Sequence, residues 1–317
     1  MDPKALPVLL VMLLAATACG GGSGGESADG DATAQPDAAP DATDDPAVEP
    51  AADPVIDPAT DPVIDPATDP AGEPPVGVDL GPDASVVYLH HSTGGCIWNG
   101  GVPEWITDYN ASNATSYTIT EIAYPSSSGY GWQNYPYDYW NIWVDHEGTE
   151  PYMGEDTLEI LTSSHDVIVF KHCYPVSHIA PDSGSPDVAS STKSIENYRL
   201  QYAALREKMR AFPDNRFIVW TGAALVEAST NEAEGTRARQ FFTWVKETWD
   251  EPGDNIFVWD FFELETEGGL YLLGEHASSS SDSHPNDTFS AAVAPLCAQR
   301  IVDVIQGLGD VRSLTGE

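Results

Sequence analysis

Val86-Val87-Tyr88-Leu89-His90-His91-Ser92-Thr93-Gly94-Gly95 runs four residues of strong strand preference into two histidines, a serine and a glycine pair. A buried strand that stops at a small nucleophile and turns on glycine leaves that hydroxyl exposed at the carboxyl edge of a sheet. Open α/β sheets bind their ligands at that edge. The same letters also suit an ordinary first strand followed by a flexible turn. The rest of the chain has to decide.

Downstream, strands and helices alternate. Val102 to Asn110 suits a short helix with Pro103 in its first turn. Tyr117 to Tyr124 alternates as a second strand, and Pro125 to Trp132 is a loop. Glu155 to Thr162 can form a helix, and Asp166 to Phe170 is an apolar run fit for a strand buried on both faces. Pro175, Pro181 and Pro186 make the next stretch irregular. Ile195, Tyr198, Tyr202, Leu205, Met209 and Phe212 then recur at helical spacing and form one apolar stripe, with Ser191, Thr192 or Ser194 able to cap its start. Arg216–Thr221 and Asn255–Asp260 read as strands four and five, with a helix around Glu232 to Thr248 between them. Helical sequence from Thr288 to Leu308, interrupted at Pro295, closes the chain. This order predicts one α/β domain over residues 85–317, with a parallel sheet of about five strands and helices on both faces.

Ser92 gains partners near the other end. A serine hydroxyl needs a general base, and the base needs an acceptor on its second nitrogen. Asp282-Ser283-His284-Pro285-Asn286 supplies both, in a polar loop before the last helix. In the proposed winding that loop also reaches the carboxyl edge of the sheet.

Together these residues resemble the SGNH (GDSL-like) hydrolase family, in which a serine follows the first strand and an Asp and a His sit before the C-terminal helix. The resemblance spans residues 85 to about 310 and implies a flavodoxin-like three-layer sandwich. It implies Ser92 as nucleophile, His284 as base and Asp282 as acid. His90-His91-Ser92 replaces the usual Gly-Asp-Ser, and Asp282 lies two residues before the histidine where the family has three. For the oxyanion it implies the Ser92 N–H, Gly129 (or Gly131) in the second loop, and a group after the third strand. Lys171-His172-Cys173-Tyr174 stands there in place of Gly-x-Asn-Asp, leaving His172 as the candidate donor. The implied activity is ester hydrolysis or deacetylation through an acyl-serine, on small-molecule or carbohydrate esters, with no cofactor.

Other chemistries fit less well. His90, His91 and His172 could gather at strand ends, but no His-x-x-x-His spacing is present and adjacent strand residues face opposite ways. No metal is expected. The aromatics from Tyr130 to Trp143 either stack on sugars or bury beneath a long loop, with Trp98 and Trp132 the candidates to face a ligand. A second function follows, a surface lipoprotein that binds glycans and has lost catalysis. A third is a structural envelope protein on the same scaffold.

The amino-terminal quarter has a different character. An apolar run from Leu6 to Ala16 leads to Thr17-Ala18-Cys19 and then Gly20-Gly21-Gly22. It has the size of a secretory core and resembles a bacterial lipoprotein signal over residues 1–19, with Cys19 the lipidated residue. A plain secretory signal with a chance cysteine is the alternative. Residues 20–84 are rich in Asp, Pro and Ala, with Asp-Pro steps repeating from Asp57 to Pro70, and read as a disordered, self-repelling tether. They hold sixteen acids and no Lys or Arg, so −16 of the formal −37 is theirs and −21 remains on residues 85–317. A surface this acidic repels nucleic acid, and the membrane contact expected is the lipid anchor alone. The expected location is the bacterial cell envelope, at the outer membrane or cell surface. If Cys19 carries lipid, Cys96, Cys173 and Cys297 can make at most one disulfide.

Overall fold

The computed structural model describes residues 77–126 and 131–317. The signal, Cys19, most of the tether and Gly129 lie outside the described residues.

Five strands, β1 (Ser85–His90), β2 (Thr118–Ala123), β3 (Val167–Phe170), β4 (Arg216–Trp220) and β5 (Ile256–Trp259), form one parallel sheet in the order β2-β1-β3-β4-β5. Alternation along each strand sends side chains to two apolar layers. Val87, Leu89, Ile168, Phe170, Val219 and Val258 face one layer. Val86, Tyr88, Val169, Trp220 and Trp259 face the other. Helices α3 (Pro136–Trp140), α4 (Leu158–Ser164), α5 (Ile195–Arg210) and α6 (Glu232–Trp244) cover the first layer. On the second lie α1 (Thr93–Asn99), α2 (Val102–Asn113) and α8 (Asp287–Ile305); α7 (Phe261–Thr266) follows β5. The chain is therefore a flavodoxin-like three-layer sandwich. In this strand order the direction of winding reverses at β1, and a crevice opens between the carboxyl ends of β1 and β3.

Three local expectations change. Gly94 and Gly95 do not make a turn: they lie in the first turn of α1. A Cβ on Gly94 would stand 2.5 Å from the His90 Cβ and 2.7 Å from the Lys171 Cδ, so glycine is there to let the helix start against the sheet. The serine-rich stretch before His284 is a hairpin, β6 (Ala277–Ser279) with β7 (Asp282–Pro285), rather than a loop. Helix α8 runs through Pro295 without interruption. Of the two readings of the aromatic stretch, burial holds for most of it, with Tyr135, Tyr139, Trp140 and Trp143 in the core. Cys96, Cys173 and Cys297 are also buried, and Cys173 and Cys297 are thiols.

Candidate active site

Ser92 is the second residue beyond β1 and the N-cap of α1, with φ 51° and ψ −111°. Positive φ is costly for a residue with a Cβ and is found where surrounding structure imposes it. Here the restraints are visible. Lys171, buried beneath the turn, donates from Nζ to the His91 carbonyl at 3.1 Å. Tyr88 donates to the Gly94 carbonyl at 3.2 Å. The His91 ring bonds the Pro125 carbonyl, and His90 bonds Glu121 at 2.8 Å. The two histidines before the serine thus tie the turn to β2 and the residues just after it, and the serine side chain stays exposed.

Strand β7 brings the other two groups. On a strand, residues two apart share a face, so the Asp282–His284 spacing is the one that lets the carboxylate meet the ring. Asp282 Oδ1 is 2.6 Å from His284 Nδ1 and also accepts the His284 backbone N–H at 3.0 Å. Those two bonds, the backbone one foremost, hold the Asp282 pKa below its ordinary value. Ser283 points the other way and accepts the Val226 N–H at 3.0 Å, anchoring the hairpin. Asn286 caps α8 by accepting the Phe289 N–H at 2.9 Å, while its amide donates to the Glu275 and Ala277 carbonyls. The strand is therefore fixed on both sides of His284. At the far side of the ring, Nε2 lies 2.6 Å from Ser92 Oγ.

Such a chain of contacts can take a proton from the serine hydroxyl and stabilise the resulting imidazolium. Side-chain exposures of 32% for His284 and 45% for Asp282 leave the relay reachable by a bulky substrate.

The oxyanion side departs from expectation. His172 does not reach the site. It follows Phe170 on the same strand face, which turns it into the core, where Nε2 meets the Tyr202 hydroxyl at 2.9 Å and the ring packs edge-on against Tyr139. Burial pushes its pKa down to about 3. Neither tryptophan is a free platform. Trp98 packs on Tyr88 and stacks over His90, and Trp132 packs against the core and Tyr152.

Three residues around the site, two near Ser92 and one beneath Lys171 and Tyr174 in charge contact with both, were not singled out by sequence reasoning. Tyr174 opens a single 3₁₀ turn, Tyr174–Val176, after β3, and its ring meets His284 edge-on with centroids 5.3 Å apart. Its hydroxyl oxygen is buried, makes no hydrogen bond of ordinary geometry, and lies within interaction range of the Ser92 side chain. Lys171, besides holding the turn, donates to Cys173 Sγ at 3.4 Å. Glu265 on α7 is fully buried. Its Oε2 accepts the Ala224 N–H at 2.7 Å, burial raises its pKa, and the Lys171 charge opposes that rise. A usable signal was present for the first two, because both lie within four residues of the end of the apolar third strand. Glu265 carried none, lying within an acidic helix like many others.

The fold and this site together define a class of arrangement, a serine, histidine and aspartate in contact at the carboxyl edge of a parallel sheet. Comparison with known proteins adds little. No protein-family model matches the chain, and no curated protein does. Among solved structures, a gut microbial diltiazem-metabolizing enzyme is similar at 11% identity and a TM-score of 0.39, over 70% of this chain and 46% of that one. The chain thus spans less than half that protein's length, and a likeness this slight transfers neither activity nor substrate.

Proposed function

We propose that residues 85–317 are a serine esterase of the SGNH-like kind, displayed on the cell envelope from a lipid on Cys19 through the acidic tether. The observation that carries the reading is the unbroken contact from Asp282 through His284 to Ser92, 2.6 Å at each step. As Ser92 Oγ bonds to an ester carbonyl carbon, His284 Nε2 takes its proton. The same proton then passes to the departing alcohol and leaves an acyl-serine. Water, deprotonated by His284, releases the acid and restores the hydroxyl. Acyl esters of carbohydrates suit an open site on an envelope protein.

The test is labelling with a fluorophosphonate probe and hydrolysis of a small acetyl ester by the full chain. Wild type is expected to label at Ser92 and turn over, while Ser92→Ala does neither. His284→Ala is expected to lose turnover with its melting temperature within a few degrees of wild type. No labelling and no hydrolysis by wild type would sink the reading.

A further inference from the structure

The residues after β3 include one polar side chain whose donor is left uncommitted. Of Lys171, His172, Cys173 and Tyr174, the lysine ammonium is engaged with the His91 carbonyl and Cys173 Sγ. His172 is bonded to Tyr202 inside the core. Tyr174 differs. Its hydroxyl oxygen is buried with no hydrogen-bond partner among the described residues. A buried, unpaired hydroxyl is expensive and calls for an explanation.

Topology supplies one. β1 and β3 are neighbours in the sheet, with Leu89 opposite Phe170. The residues following the two strands therefore flank the same crevice. The Tyr174 ring lies edge-on to His284 at 82°, and its hydroxyl is within interaction range of the Ser92 side chain. From the serine-hydrolase reading above, we infer that Tyr174 is an oxyanion donor of this site, occupying the place after the third strand where the resemblance had implied an asparagine.

During attack, the carbonyl π pair moves onto oxygen as the Oγ–carbon bond forms. The phenol donates a hydrogen bond to that oxygen and keeps its proton, while His284 carries all proton transfer. When the alcohol leaves, the pair returns to the carbonyl and the hydroxyl is unpaired again. A donor without a partner in the ground state and with one in the transition state is differential binding. Burial raises the phenol's pKa, so the donor persists across the working range.

Tyr174→Phe keeps the ring against His284 and removes only the donor. With a small acetyl ester, kcat is expected to fall about 100-fold while KM stays within about threefold. Affinity for a small alkylboronic acid, which forms a tetrahedral anion on Ser92, should weaken in parallel. The melting temperature should hold, because the hydroxyl makes no hydrogen bond of ordinary geometry among the described residues. Unchanged kcat in an active, labelled background overturns the role of Tyr174 and leaves the hydrolase reading standing. So does a melting temperature lowered by many degrees, since the hydroxyl would then be structural. A wild-type protein that neither labels nor hydrolyses overturns both.

Discussion

Ser92 combines two properties that sequence letters cannot show together, an exposed hydroxyl and a backbone at φ 51°. A left-handed conformation costs a side-chain-bearing residue about 1–2 kcal/mol, and glycine nothing comparable. Replacing the serine by alanine removes the hydroxyl and keeps the strain, whereas Ser92→Gly removes both. The glycine variant is therefore expected to be more stable than the alanine variant by about 1 kcal/mol, a rise of about 2–4 °C for a domain of this size. Thermal melts of the two inactive proteins check this, and equal melting temperatures would show that the turn relaxes around alanine. The serine and the Asp282–His284 pair were legible because each sits in a short polar stretch next to an apolar element. His172 was misplaced because strand parity continues past the end of β3, carrying it to the Phe170 side and Lys171 to the side of the His90 ring.

At the scale of elements, the relay depends on how α1 and α8 meet, since Ser92 precedes one and His284 the other. Gly100, the C-cap of α1, has an ordinary right-handed φ of −70°. By its backbone angles alone, alanine would be tolerated there. In the structure a Cβ at this position would stand 2.4 Å from the Ser290 carbonyl oxygen, a backbone atom of α8. Gly100→Ala must push the helices apart. It is expected to cost about 1–3 kcal/mol in denaturant unfolding. Turnover of an acetyl ester is expected to fall by about 100-fold, as for an ångström of misplacement between reacting groups. Elements whose information is local were read correctly: the apolar runs of β3, β4 and β5 and the stripe of α5, whose cap is Ser194. The β6–β7 hairpin was not, because serines carry little strand preference and its place is set by distant bonds such as Ser283 to Val226. The start of α1 was hidden for a similar reason. Its glycines serve a close approach to His90 and Lys171 that only the folded chain reveals.

Across the whole molecule, buried titratable groups pull stability in opposite directions with pH. Burial pushes His90 and His172 down to about 3. The unfolded chain takes up their protons as pH falls below the ordinary value near 6.5, so each histidine lowers stability by up to about 1.4 kcal/mol per pH unit from there down to about 3. Asp138 is pushed up to about 6 and Asp250 to about 7, again by burial, which for Asp250 outweighs the nearby Arg300 guanidinium. The native state takes up these protons first, so each aspartate adds stability as pH falls from its raised value toward the ordinary one near 4. Between about pH 4 and 6 the contributions of these two histidines and two aspartates have opposite signs. Removing one aspartate exposes the balance. Asp250→Asn mimics the protonated carboxyl at every pH. At pH 8, where the native carboxylate is ionised against its burial, the variant is expected to be more stable than wild type by on the order of 2 kcal/mol. At pH 5 Asp250 is already protonated in the native protein, and the gain measured against wild type should shrink by more than half. Thermal melts of both proteins at the two pH values decide it, and a gain that is the same at pH 5 and pH 8 would mean that Asp250 stays ionised in the fold.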